Sequence, residues 1–188
     1  PELQVHRVPA GGGELFGEVA FDLSRFADAD GIPELGTLVA CGERLFAVAE
    51  RIDRAAWVPS DETWLIPITT TRDDEALHEF DPDHAGPDAL ALLGTGFGAW
   101  RLDPADPSGH TLLVLNSGLE RVDLSAGTSA WAIAPDRLAA AGITDHRLPQ
   151  AFDLGPDGAS AYLAAYRPDF SELAIFRAAR QAHLRYGT

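Results

Sequence analysis

Ala99-Trp-Arg-Leu-Asp-Pro-Ala-Asp-Pro-Ser-Gly-His-Thr-Leu-Leu-Val-Leu115, followed by Leu119-Glu-Arg-Val-Asp-Leu124, sets the grammar of the chain. A short extended stretch runs into a turn rich in Asp, Pro, Ser and Gly. An unbroken apolar run follows, then a Ser-Gly bend and a stretch of alternating character. Turn residues at that spacing cut the chain into pieces of strand length, too short for stable helices. The run Leu112-Leu-Val-Leu115 is apolar on both sides, which is the pattern of a strand covered on both faces.

The same grammar recurs on either side. Upstream, Thr37-Leu-Val-Ala-Cys-Gly-Glu-Arg-Leu-Phe-Ala-Val-Ala49 is followed by Trp64-Leu-Ile-Pro-Ile68. Downstream, Ala151-Phe-Asp-Leu-Gly-Pro-Asp-Gly-Ala-Ser-Ala-Tyr-Leu-Ala-Ala165 is followed by Glu172-Leu-Ala-Ile-Phe176. The turns at Gly42, Gly109 and Gly158 mark equivalent points, unevenly spaced, so the repeat is degenerate and carries insertions. Units of about 40 to 50 residues with several short strands are what β-propeller blades require. The expected fold is all-β: a β-propeller or partial propeller of about four degenerate blades, with a β-sandwich of about seven to nine strands as the alternative. The chain reads as one β domain over 1–188, with approximate units 12–80, 89–134 and 148–177.

Within this frame the Gly42-Glu43 connection predicts a hairpin between Thr37–Cys41 and Arg44–Ala49, with type II′ chemistry at its tip. Ala47, Ala49, Ala164 and Ala165 suit innermost strands, where backbones converge, and Phe46, Trp64, Leu113 and Phe176 suit the layers between sheets. Helical signal is confined to Pro135–Gly142, with Pro near its start and Gly as its stop, and to the Ala- and Arg-rich tail Arg177–Arg185.

Charge narrows the function classes. Among 188 residues there are 29 acidic side chains against 14 basic ones, all Arg, giving a net charge of -15. Sequence-independent nucleic-acid binding needs a basic face to neutralise phosphates, so nucleic acid is not an expected partner. A polybasic dock for anionic lipid is equally disfavoured. The longest apolar runs, such as Ala89–Leu93, fall far short of the roughly 20 residues of a membrane helix, and no membrane insertion is expected. Cys41 is the one cysteine, which excludes an internal disulfide framework. A chain that begins at Pro1 and contains no Met is expected to be a processed form or a piece of a longer protein.

Several of these segments resemble a known group. Pro156-Asp-Gly158 followed by Ala161-Tyr-Leu163 is similar to the turn-and-strand of bacterial seven-bladed propellers of the surface-layer and lactonase-like superfamily. Val122-Asp-Leu-Ser-Ala-Gly-Thr128 resembles the outer-strand ending of the same blades. The stretch Asp22–Glu34 with Leu45–Arg54 is similar to one recurring in large secreted or lipid-anchored envelope propellers. The resemblance covers about residues 12–177, and a seven-bladed ring would need more chain. It implies a secreted, periplasmic or cell-envelope location and a non-catalytic scaffold that binds a protein or small molecule. It also implies self-association through open blade edges. The rival it implies is a metal-dependent lactonase-like hydrolase, in which a divalent ion polarises a carbonyl and activates water.

Candidate site residues follow from loop chemistry. Asp28, Asp30 and Glu34 surround a Gly turn, and hard cations take several oxygens on a tight turn, which makes Ca²⁺ the candidate cofactor; a solvated Asp-Gly turn is the alternative. His78, Asp81, Asp83 and His84 form the densest ligand-like cluster and could serve a divalent metal, against the reading of a wet acidic loop. Asp28, Asp30, Asp81 and Asp83 would be the ligands of the hydrolase reading. Arg51, Arg54 and Trp57 could hold a planar or anionic ligand by charge and stacking, or else tie down a long loop. His110, His146 and Arg167 sit at comparable turns and are further ligand-binding candidates. Gly94-Thr-Gly-Phe-Gly98 lacks the following helix of a phosphate loop and reads as a bend between strands.

Overall fold

Turn chemistry divides the chain into eighteen short strands and one helical turn among the described residues. The computed structural model describes residues 2–7, 16–23, 26–32, 34–41, 44–56, 58–59, 62–69, 72–73, 76–77, 89–96, 98–141, 151–167, 169–180 and 186–187. The first strands are β1 (Glu2–Arg7), β2 (Phe16–Asp22), β3 (Glu34–Cys41), β4 (Arg44–Glu50), β5 (Ile52–Asp53) and β6 (Val58–Pro59). Then come β7 (Trp64–Thr69), β8 (Arg72–Asp73), β9 (Ala76–Leu77), β10 (Leu90–Ala91), β11 (Trp100–Leu102) and β12 (Thr111–Leu115). The series ends with β13 (Leu119–Asp123), β14 (Thr128–Ile133), the helix α1 (Pro135–Ala140), β15 (Ala151–Leu154), β16 (Ser160–Tyr166), β17 (Leu173–Arg180) and β18 (Tyr186–Gly187).

The architecture is all-β. Three four-stranded antiparallel sheets have the orders β3-β4-β7-β10, β11-β12-β13-β14 and β15-β16-β17-β18, and three two-stranded pairs (β1-β2, β5-β6, β8-β9) accompany them. In each four-stranded sheet the chain crosses in sequence order, a simple meander. The predicted hairpin is present: β3 pairs with β4 from Glu34 opposite Glu50 to Cys41 opposite Arg44. Its tip, residues 42–43, lies outside the described residues.

The sheets stack in series. Leu112 and Val114 of β12 face the first sheet, packing with Val39, Phe46, Val48 and Leu65. Leu113 and Leu115 face the third, packing with Phe152, Ala161, Leu163 and Ala165. This is why all five residues of β12 are buried and why its sequence is apolar without alternation. Fully burying each such side chain contributes about 1.5–3 kcal/mol. Leu23 and Phe26 cover Ala47, Ala49 and Ile66 on the far face of the first sheet. Helix α1 starts with Pro135, whose missing N–H costs nothing at a helix start, and buries Leu138 between the second and third sheets.

Two expectations are corrected. The tail is extended where it is described: Arg177–Arg180 continues β17, with Ala179 opposite Ser160 and Arg177 opposite Tyr162. Pairing with β16 for Arg177–Ala179 and with β18 for Arg180 gives every residue of this run a ladder partner and overrides the helical preference of Ala and Arg. Ala47, Ala49, Ala164 and Ala165 lie on β4 and β16, the second strands of their sheets, flanked on both sides rather than innermost. Their small size suits close sheet-on-sheet or segment-on-sheet contact, as in the fully buried Ala49 and Ala165.

Candidate functional site

The opening strands β3, β11 and β15 each lie at an edge of their sheet and sit side by side. Between β3 and β11 is an open cavity of about 600 Å³ lined by Gly36, Thr37 and residues 98–102. From β11, Arg101 reaches Asp153 on β15 at 3.3 Å, with both side chains exposed. The end of β3 and the turns that leave β11 and β15 meet at one end of the stack. There the Cys41 thiol donates to the Gly109 carbonyl oxygen at 2.9 Å. At the same end, Arg180 bridges to Asp103 with Nη2–Oδ2 at 2.7 Å and Nη1–Oδ1 at 2.9 Å. Gly109 and Gly158 occupy equivalent points of these turns with φ of 67° and 66°, a region that side chains with a Cβ rarely enter.

A polar cavity of about 300 Å³ opens at this end, with Asp106, Ser108, His110, Arg121, Asp123 and Ser125 among its lining residues. The Asp106 carboxylate accepts the Ser108 N–H (2.9 Å), the Ser108 hydroxyl (2.6 Å), the His110 N–H (3.1 Å) and the Thr111 N–H (2.8 Å). The side chains of Ser108 and Thr111, and then their N–H groups, hold Asp106 well below the ordinary carboxylate value, because hydrogen bonds to the charged form favour it. Asp123 accepts the Ala126 and Ser125 N–H groups and the Ser125 hydroxyl and is lowered by them, with Arg121 adding to the effect. Arg121 donates from Nη2 to the Thr111 hydroxyl at 3.1 Å. His110, a predicted ligand residue, is exposed at the mouth. The carboxylates here cap turns, and carboxylates held ionised in this way are poor general acids.

The opposite end brings together two predicted candidates that the sequence read as separate. Arg54 donates from Nε to Glu34 Oε1 at 2.9 Å and lies 3.2 Å from Asp30 Oδ2. The bond to Glu34, then the nearby charges of Asp30, Glu34 and Asp28, raise the Arg54 guanidinium above its usual value. Asp28 accepts the Asp30 N–H at 2.9 Å and is held low chiefly by that bond, with Arg51 and Arg54 contributing charge. A guanidinium thus lies among the oxygens proposed for Ca²⁺. Among the described residues no group of three or more His, Cys, Asp or Glu is placed to hold a metal. Trp57, His78, Asp81, Asp83, His84 and His146 lie outside the described residues. Arg167 pairs with Glu172 at 2.8 Å across the base of the β16–β17 hairpin.

The structure adds residues that the sequence reading did not single out. Glu120 is fully buried and accepts the Leu93 N–H (2.9 Å), the Gly94 N–H (3.2 Å) and the Asn116 side-chain amide (2.6 Å). It ties Leu93 and Gly94, at the start of the 93–96 bend, to β13. A Cβ on Gly94 would lie 2.2 Å from the Asn116 amide group, so the glycine bend predicted there has a steric cause. A local signal does exist for the turn acids. Asp106-x-Ser108, Asp123-x-Ser125 and Asp169-x-Ser171 all place the Ser N–H and hydroxyl on one carboxylate oxygen, an Asx turn that Asp two before Ser announces.

No protein-family model matches the chain, and no curated protein matches it at a significant level. Among the described residues no helix is long and apolar enough to cross a membrane.

Proposed function

We propose that the three four-stranded sheets are blades of a partial β-propeller of the surface-layer and lactonase-like type, and that the chain is a rigid, non-catalytic binding scaffold of a secreted or cell-envelope protein. The observation that carries this reading is the serial stack: meanders packed face to face, with opening strands adjacent and Arg101–Asp153 joining two of them. A simple two-sheet sandwich gives each sheet one buried face, whereas here the middle sheet is covered on both. The scaffold role is supported by what the acids and arginines near the loops do. Asp106 and Asp123 cap turns, Arg54 is held by Asp30 and Glu34, and Glu120 fastens a bend. The ligand face in this reading is the loop end carrying Arg51 and Arg54.

The test is turnover against a panel of lactones and aryl esters, with Ca²⁺ or Zn²⁺ added and then chelated. The scaffold reading expects no turnover above the uncatalysed rate under either condition. Metal-stimulated hydrolysis that is abolished by chelator and by Asp28→Asn would establish the hydrolase instead.

A further inference from the structure

The third sheet buries one face against the second, through Phe152, Leu163 and Ala165. Its other face is open, with Tyr162, Leu173 and Ile175 exposed by 42%, 48% and 69%. At its rim Phe170 holds φ at 58°, unusual for a bulky residue. The Phe170 ring lies 5.9 Å from that of Tyr166, extending the apolar surface. An apolar patch of this kind on a chain with a net charge of -15 marks an interaction surface.

Strand register orders this face into rows. Asp153, Tyr162 and Arg177 lie opposite one another across β15, β16 and β17, and so do Ala151, Ala164 and Ile175. Each row is self-complementary under one operation: a two-fold axis lying in the interface and running along β16. That axis lays β15 of one copy over β17 of the other without shifting either along the strand. Asp153 of each copy then faces Arg177 of its mate, and Ile175 fits over the small Ala151. Arg177 is already oriented by hydrogen bonds from Nε and Nη2 to the Ser160 hydroxyl, at 3.2 and 3.1 Å. Asp153, bound at 3.3 Å by Arg101 and at 3.0 Å by the Leu154 N–H, has a side chain that is 72% exposed. With a net charge of -15, two copies repel over most of their surface. The row of one Asp and one Arg, with the Arg167–Glu172 pair at the rim, is neutral.

We propose that this face is a homodimer interface, occupied by a second copy of the chain related by the two-fold along β16, with the sheets packed face to face at the usual spacing of about 10 Å. The contact is isologous, so it closes at two copies. It uses the open face of the third sheet and leaves strand edges unpaired, and it does not depend on the propeller reading.

Sedimentation velocity of the purified chain over a wide concentration range tests it. The expected result is a monomer–dimer equilibrium. Ile175→Asp weakens it at least about tenfold while leaving the circular dichroism spectrum unchanged, because the side chain is exposed in the monomer. Asp153→Arg and Arg177→Asp each weaken the dimer, and the double reversal restores it. A chain that stays monomeric throughout, or a dimer unmoved by Ile175→Asp, overturns the proposal. Loss in Ile175→Asp without restoration by the double reversal overturns the two-fold arrangement.

Discussion

Arg180 with Asp103 and Arg54 with Asp30 and Glu34 are the same chemistry placed at opposite ends of the stack. The Arg180–Asp103 bridge is bidentate and buried, with side-chain exposures of 13% and 1%, and it locks the end of β17 to the turn after β11. In the Arg54 cluster the Arg54 and Asp30 side chains are exposed by 45% and 37% and only Glu34 is largely covered, so the guanidinium that joins the 28–32 turn to the start of β3 keeps its access to water. Water is the difference. A guanidinium and a carboxylate withdrawn from water have only each other and nearby polar groups, so the fold depends on both being present. An exposed guanidinium can exchange protein partners for water at small cost, which is what the ligand role proposed for Arg54 requires.

Breaking the buried member should produce the largest effect. Arg180→Ala leaves Asp103 charged and enclosed, and is expected to destabilise folding by about 3–5 kcal/mol, read as a lowered denaturation midpoint with an unchanged slope. An intermediate effect is expected from acid. Asp106, Asp123 and Asp169 are all held below the ordinary value of 3.8, chiefly by the Ser108 hydroxyl, the Ala126 N–H and the Ser171 hydroxyl respectively. Because the folded values are depressed, the stability they contribute is complete above that value and is lost as pH falls below it. Thermal midpoints followed below pH 4 should therefore fall less steeply in Ser108→Ala than in the native chain. The smallest effect is assigned to Arg54→Ala, which should leave the denaturation midpoint where it was. A midpoint lowered as far as that of Arg180→Ala would erase the distinction between the two ends and remove Arg54 from the ligand face proposed above.

Much of the architecture is legible in local sequence. The hairpin of β3 and β4 follows from apolar strands around a glycine turn, and the covered position of β12 follows from four apolar residues in a row. The short α1 is announced by Pro135. The Asp-x-Ser turns are local as well, but a lone Asp in a polar loop becomes informative only together with the Ser two residues on. The tail is not legible in this way, because Ala and Arg favour helices in isolation, while the strands that pair with Arg177–Arg180 come from β16 and β18.

The site was less legible because its pairings are distant in sequence. Asp103 and Arg180 are separated by 77 positions, and Arg54 reaches back 20 to Glu34. The first pair exists because the second and third sheets stack with their turns at the same end. The second exists because the loop after β4 folds back to the start of β3. Each element was readable alone, as an acid in a turn or an arginine after a strand. Their mutual neutralisation was not.

The order of apolar and turn residues by itself determined that this chain folds as short antiparallel meanders, since side-chain alternation and backbone turn preferences act over a few residues. Which sheet covers which, which charges lose their water and which apolar face stays open were decided only by the stacking. Those are properties of surfaces brought together from distant parts of the chain, where burial rather than residue type sets the energy of a charge or a methyl group.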